Sequence, residues 1–82
     1  MEKSIYTHEY QVMLRLLREA REQAGVTQVE LAQRLGQTQS YVSKVELGDR
    51  RLDLVQLRTI LAALGLSLGE YVARFEHALE HP

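Results

Sequence analysis

The spacing of the glycines limits the kinds of fold that this chain can adopt. Glycines at positions 25, 36, 48 and 65 each follow a segment in which apolar residues recur every three or four positions. Because glycine readily adopts the left-handed conformation that ends helices, each of these positions predicts a helix C-terminus. No segment shows the alternation typical of a strand. The sequence therefore predicts an all-α fold of short helices.

The N-terminal ends of these helices are marked by short polar residues. Thr27, Asp53 and Ser67 are each followed three residues later by Glu or Gln, the pattern of a capping box. Together with the glycines they predict five helices, at about 8–24, 28–35, 39–47, 54–64 and from 68 to beyond 75. An 82-residue chain of this kind suits one domain.

Composition excludes several classes of protein. The chain has no cysteine, so disulfides and thiolate metal sites are excluded. It shows neither a long apolar run nor the apolar core of a signal peptide, so we expect a cytoplasmic protein without membrane contact. His77 and His81 lie four residues apart, but without a third ligand we expect no metal and no cofactor. No catalytic constellation is visible, and an enzyme is not expected.

The window 28–46 meets the demands of two helices that cross at a sharp turn. Gly36 permits the turn, and Ala32 is small enough to lie where the helices cross. Val42 and Val45 give the third helix an apolar face that points inward, and the window as a whole predicts a helix-turn-helix unit. Its outward face is then short and polar, and it consists of Gln39, Ser40, Ser43 and Lys44. Gln can read adenine, Lys can read guanine, and Ser can contact any base, so this face is our candidate for reading DNA bases.

The segments TQVELA (27–32) and SKVELGDRR (43–51), with the turn glycine between them, resemble the phage-repressor-like (Cro/C1, XRE-type) helix-turn-helix family. The resemblance extends from about residue 14 to 68 and implies a compact five-helix bundle of the lambda-repressor-like type. It also implies an ion pair between Arg21 and Glu46 that braces the recognition helix. By the same resemblance, bases would be read by Gln39, Ser40 and Lys44. The resemblance also implies phosphate contacts for Gln28, Tyr41, Arg50 and Arg51, and we add Thr38 to this set. Tyr41 has a second interpretation, in which its side chain packs on the second helix.

The chain departs from the family pattern in three respects. The loop after the third helix has no proline, and residues 1–7 form an N-terminal extension to a domain at 8–75. Residues 76–82 are an acidic tail that continues the fifth helix, with no second domain after it. The last feature argues against a full phage repressor.

The fifth helix carries an apolar stripe that has two interpretations. Leu68, Val72, Phe75 and Leu79 follow helical spacing, and Tyr71 widens the stripe. The stripe either completes the core of one molecule or forms a two-fold contact between copies. We expect the first half in the core and assign a dimer interface to Tyr71, Phe75 and Leu79.

These features predict a regulator of transcription that binds double-stranded DNA. We expect a homodimer on a pseudo-palindromic operator, and repression is the simplest mechanism because no activation or sensor domain is visible. The alternatives are a restriction–modification controller, or an antitoxin whose fifth helix binds a toxin. A protein-interaction module that does not bind DNA also stays open, because the net charge is only −1.

Overall fold

The structure, a computed structural model, describes residues 7–81. Within that range every regular element is a helix, as the sequence predicts. The helices are α1 (His8–Gln23), α2 (Gln28–Leu35), α3 (Gln39–Leu47), α4 (Leu54–Ala63) and α5 (Leu68–Glu80). The all-α, five-helix expectation is confirmed.

The glycines end the helices through their positive φ angles. Gly36 (φ 66°) and Gly48 (φ 85°) are themselves the C-caps of α2 and α3. In α1 and α4 the glycine follows the cap by one residue, because Ala24 and Leu64 take that place in the right-handed conformation. Those two helices therefore end one residue earlier than predicted.

The N-caps agree with the predicted positions but differ in completeness. Thr27 and Asp53 form both halves of a capping box. Ser67 accepts from the Glu70 amide at 3.1 Å, while the Glu70 carboxylate contacts the Ser67 hydroxyl at 3.5 Å instead of reaching back to the main chain. The sequence pattern missed Thr38, which caps α3 without a Glu or Gln three residues later.

One core holds the helices together. Leu17 of α1, Leu31 of α2, Val45 of α3 and Leu61 of α4 are almost fully buried in the same cluster. The void beneath the α2–α3 pair is only about 10 Å³, so α3 rests on a close-packed surface. The core therefore fixes which face of α3 points outward.

Helix α5 packs on α1 through Tyr71, and this corrects one expectation. Tyr71 is only 2% exposed and donates its hydroxyl hydrogen bond to the main-chain carbonyl of Met13. Because almost none of its surface reaches solvent, Tyr71 belongs to the core of one molecule and has almost no surface left for contact with a second copy. Burial also raises the pKa of its hydroxyl, with a smaller contribution from Tyr10.

The last helix takes in most of the predicted C-terminal tail. α5 continues without a break through Glu80, so most of the predicted tail is helix. The predicted N-terminal extension lies outside the described residues except for Thr7, the N-cap of α1. No helix of the described range is long and apolar enough to cross a bilayer.

Candidate nucleic-acid interface

Helices α2 and α3 form the predicted helix-turn-helix pair. The Gln37 amide donates to the Ala32 carbonyl at 2.9 Å, which closes the turn after Gly36. Ala32 is buried, as expected for the small residue at the crossing. The turn thus leads directly into Thr38, whose side chain accepts from the Tyr41 amide at 3.1 Å and starts α3.

An ion pair joins α1 to the end of α3. Arg21 Nε donates to Glu46 Oε2 at 2.6 Å and Arg21 Nη2 donates to Glu46 Oε1 at 3.1 Å, a bidentate contact. Their side chains are only 11% and 7% exposed, and Arg21 Nη1 also donates to the Val26 carbonyl at 2.9 Å. The hydrogen bond to Glu46 raises the pKa of Arg21, so the guanidinium stays charged. The pair implied by the family resemblance is present in this geometry.

Gln28 extends this ion pair to the outward face of α3. Its Nε2 donates to Glu46 Oε1 at 2.9 Å, and its Oε1 accepts from Gln39 Nε2 at 2.7 Å. A chain of contacts therefore runs from Arg21 through Glu46 and Gln28 to Gln39. The sequence assigned Gln28 only to phosphate and did not predict its contact with Gln39, because the two residues come from different helices.

The four candidate base-reading residues all lie on α3, with unequal exposure. Gln39, Ser40 and Lys44 are exposed, whereas Ser43 is half-buried. Ser43 follows Ser40 by three positions and Gln39 by four, and Lys44 follows Ser40 by four, so the set shares one face of the helix. The structure therefore brings the predicted reading residues together, with Ser43 set deeper than the others.

The loop after α3 carries two arginines that lie against tyrosine rings. The Arg50 guanidinium carbon is 5.1 Å from the centroid of the Tyr41 ring, and that of Arg51 is 5.5 Å from the Tyr10 ring. Both distances suit a cation–π contact, which orients the guanidinium without using its N–H donors. Nothing in the sequence indicates the contact between Tyr10 and Arg51, because the two residues lie far apart along the chain.

Two acidic side chains close to the helix-turn-helix pair, Glu30 and Asp53, take part in helix caps. Glu30 accepts from the Thr27 amide at 2.9 Å, and Asp53 accepts from the Gln56 amide at 2.7 Å. Their hydrogen bonds are with the capped ends of α2 and α4. The main-chain hydrogen bond from Thr27 lowers the pKa of Glu30. The outer side of α3 and the loop that follows it carry Lys44, Arg50 and Arg51, with the exposed Asp49 among them.

A helix-turn-helix pair with an exposed polar face on its second helix is the arrangement found in DNA-binding domains. A family model described as "Helix-turn-helix" matches residues 17–71, and the chain belongs to that family in its XRE-type form. It is a DNA-binding regulator rather than a member of an enzyme family.

Among solved structures, the chain is similar to an XRE-family like protein from Pseudomonas syringae pv. tomato str. DC3000. The two share 40% sequence identity and a TM-score of 0.84, over 96% of this chain and 94% of the other. No curated protein matches the chain.

Proposed function

We propose that the protein represses transcription by binding, as a homodimer, to a pseudo-palindromic operator in double-stranded DNA. α3 enters the major groove and α2 crosses the backbone above it, the docking geometry of helix-turn-helix proteins. A dimer in this position competes with polymerase for the same DNA. We also propose that it acts in the cytoplasm, where such an operator would lie.

The main support for this proposal is the chain of hydrogen bonds that runs from Arg21 through Glu46 and Gln28 to Gln39. Glu46 is an acceptor only, so Gln28 must turn its amide nitrogen towards it and its oxygen towards Gln39. Gln39 therefore gives one N–H to Gln28 and keeps its second N–H and its Oε1. Those two groups match N7 and the N6 amino group of adenine. The ion pair with Arg21 thus orients a reading residue before DNA arrives, which lowers the entropic cost of binding.

The remaining contacts divide into base-reading and positioning groups. We propose that Ser40, Ser43 and Lys44 read bases beside Gln39, with guanine as the partner of Lys44. Phosphates would be contacted by the second amide hydrogen of Gln28 and by Thr38, Tyr41, Arg50 and Arg51. The stacking of both arginines on tyrosine rings supports this assignment, because it holds two cationic groups in the loop that follows the recognition helix.

The assay for this function is selection of bound duplexes from a random DNA pool. The intact protein should enrich a two-fold symmetric motif with half-sites about 34–36 Å apart. Gln39→Ala and Lys44→Ala should each weaken binding to that motif by about 1–3 kcal/mol and relax the preference at one base pair. Arg18→Ala is the matched control, because Arg18 is an exposed side chain paired with Glu22 on α1. A folded protein that enriches no motif at moderate salt would contradict the proposal.

The dimer is proposed to form through the outer part of α5. Val72 is 43% exposed, and Phe75 and Leu79 are half-buried on the same face. With Tyr71 in the core, these three residues are the apolar surface that α5 leaves for a second copy. Phe75→Asp should therefore halve the mass seen in sedimentation without unfolding the protein.

Val55→Asp on α4 is the matched control for the dimer. Val55 is 73% exposed, so the substitution adds the same charge to another apolar surface position. Dissociation by Val55→Asp but not by Phe75→Asp would move the interface to α4. An unchanged mass for both would contradict the α5 interface.

A further inference from the structure

The outward face of α3 holds one residue that the reading set does not include. Leu47 is the last residue of α3 and is 70% exposed. It follows Lys44 by three residues, Ser43 by four and Ser40 by seven, so it lies on the same face as the candidate base-reading side chains. A single exposed leucine needs no explanation on most surfaces. Here its position continues a face that otherwise consists of polar groups.

Helix geometry directs this side chain towards the reading residues. Side chains on a helix lean towards its N-terminus, so Leu47 covers the turn that carries Ser43 and Lys44. Its Cα is only about 4.5 Å further along the axis than that of Lys44, compared with about 3.4 Å between base pairs. After Leu47 the chain turns away at Gly48, so the leucine is the last group of α3 that can face the groove.

The chemistry of Leu47 selects one feature of the major groove. It has no hydrogen-bond donor or acceptor to offer a base edge or a phosphate. The 5-methyl group of thymine is the apolar group on the base edges of the major groove, and proteins read it by apolar contact.

We propose that Leu47 is a specificity-determining residue that reads the 5-methyl group of a thymine within one or two base pairs of the base read by Lys44. The proposal rests on the proposed DNA-binding function and deepens it. Leu47→Ala should fold normally, because the side chain is mostly in solvent and alanine is a good helix former.

The experiment removes the methyl group from the DNA without changing any hydrogen bond. Each thymine of the selected operator is replaced in turn by deoxyuridine, and the dissociation constant is measured at fixed salt. At one position per half-site, wild-type protein should bind the deoxyuridine duplex about four-fold more weakly, the effect of one buried methyl. For Leu47→Ala, the two duplexes should bind with nearly equal affinity.

Leu54→Ala is the matched control. Leu54 is 64% exposed but belongs to α4, so this variant should keep the full four-fold effect at the same position. If Leu47→Ala lowers the affinity for the thymine and the deoxyuridine duplex by the same factor, the four-fold preference for thymine remains and the proposal is overturned. A fall in the mass of DNA-free Leu47→Ala would then assign Leu47 to a protein contact. Failure of wild-type protein to bind any selected duplex would overturn the DNA-binding function itself, which separates the two failures.

Discussion

Replacing Glu46 by glutamine tests the central contact of the site. The change keeps the shape of the side chain but removes the charge that faces Arg21. Glu46 accepts hydrogen bonds from Arg21 Nε, Arg21 Nη2 and Gln28 Nε2, whereas one amide oxygen cannot serve all three donors in that geometry. Loss of a partner from such a pair leaves a guanidinium that is only 11% exposed without a counter-ion.

The expected cost is large for a domain of this size. Breaking a buried ion pair from one side costs about 3–5 kcal/mol. We expect about 3 kcal/mol here, because the amide oxygen still accepts one hydrogen bond. A domain of 82 residues has a free energy of unfolding of about 4–12 kcal/mol, so the variant should be visibly less stable. Urea unfolding followed by circular dichroism measures the difference.

Glu19→Gln is the matched control for this measurement. Glu19 pairs with Arg15 at 3.2 Å, but their side chains are 44% and 55% exposed. Its loss should cost less than about 0.5 kcal/mol and should vanish in high salt. The cost of Glu46→Gln should persist, because solvent ions have little access to the pair.

A double-mutant cycle shows whether the cost comes from the pair itself. Arg21→Met combined with Glu46→Gln should cost at least about 1.5 kcal/mol less than the sum of the two single changes, because no charge is then buried alone. Additive costs, or a loss for Glu46→Gln no larger than for Glu19→Gln, would show that Arg21 and Glu46 do not act as a buried ion pair.

The remaining predictions concern stability, backbone conformation and charge. Tyr71→Phe should cost about 1 kcal/mol. Because burial raises the pKa of Tyr71 in the folded state, the stabilisation from its hydroxyl is present below about pH 10 and is lost as the pH rises above that value. The Tyr71→Phe variant should therefore show a flatter alkaline limb in a plot of unfolding free energy against pH. Gly36→Ala should destabilise by about 1 kcal/mol, because φ is 66° and no atom crowds the position, so the cost is conformational. Gly69→Ala within α5 should instead stabilise slightly, and urea unfolding followed by circular dichroism measures the effect of both glycine changes. In a plot of the logarithm of the DNA-binding constant against the logarithm of salt concentration, Arg51→Ala should reduce the slope by about one. Arg15→Ala should leave that slope unchanged.

Local features of the sequence determined the secondary structure almost completely. Helix ends follow from the conformational freedom of glycine and from the short polar caps, and both act within a few residues. That is why α2 and α3 have the predicted bounds, and why α1 and α4 differ by a single residue. The helix-turn-helix corner follows in the same way from Ala32 and Gly36.

Contacts between helices were decided only by the tertiary structure. The pairing of Arg21 with Glu46 came from family resemblance, but its extension through Gln28 to Gln39 joins residues of three helices. Tyr10 and Arg51 are 41 positions apart, and only packing brings the ring beneath the guanidinium.

The apolar stripe of α5 shows the same limit of sequence reasoning. Helical spacing groups Tyr71 with Phe75 and Leu79 but does not say which of them another helix covers. Packing of α5 on α1 buries Tyr71 and leaves Val72 exposed. Periodicity along the chain fixes the face of a helix, whereas the partner of that face depends on how the helices assemble in space.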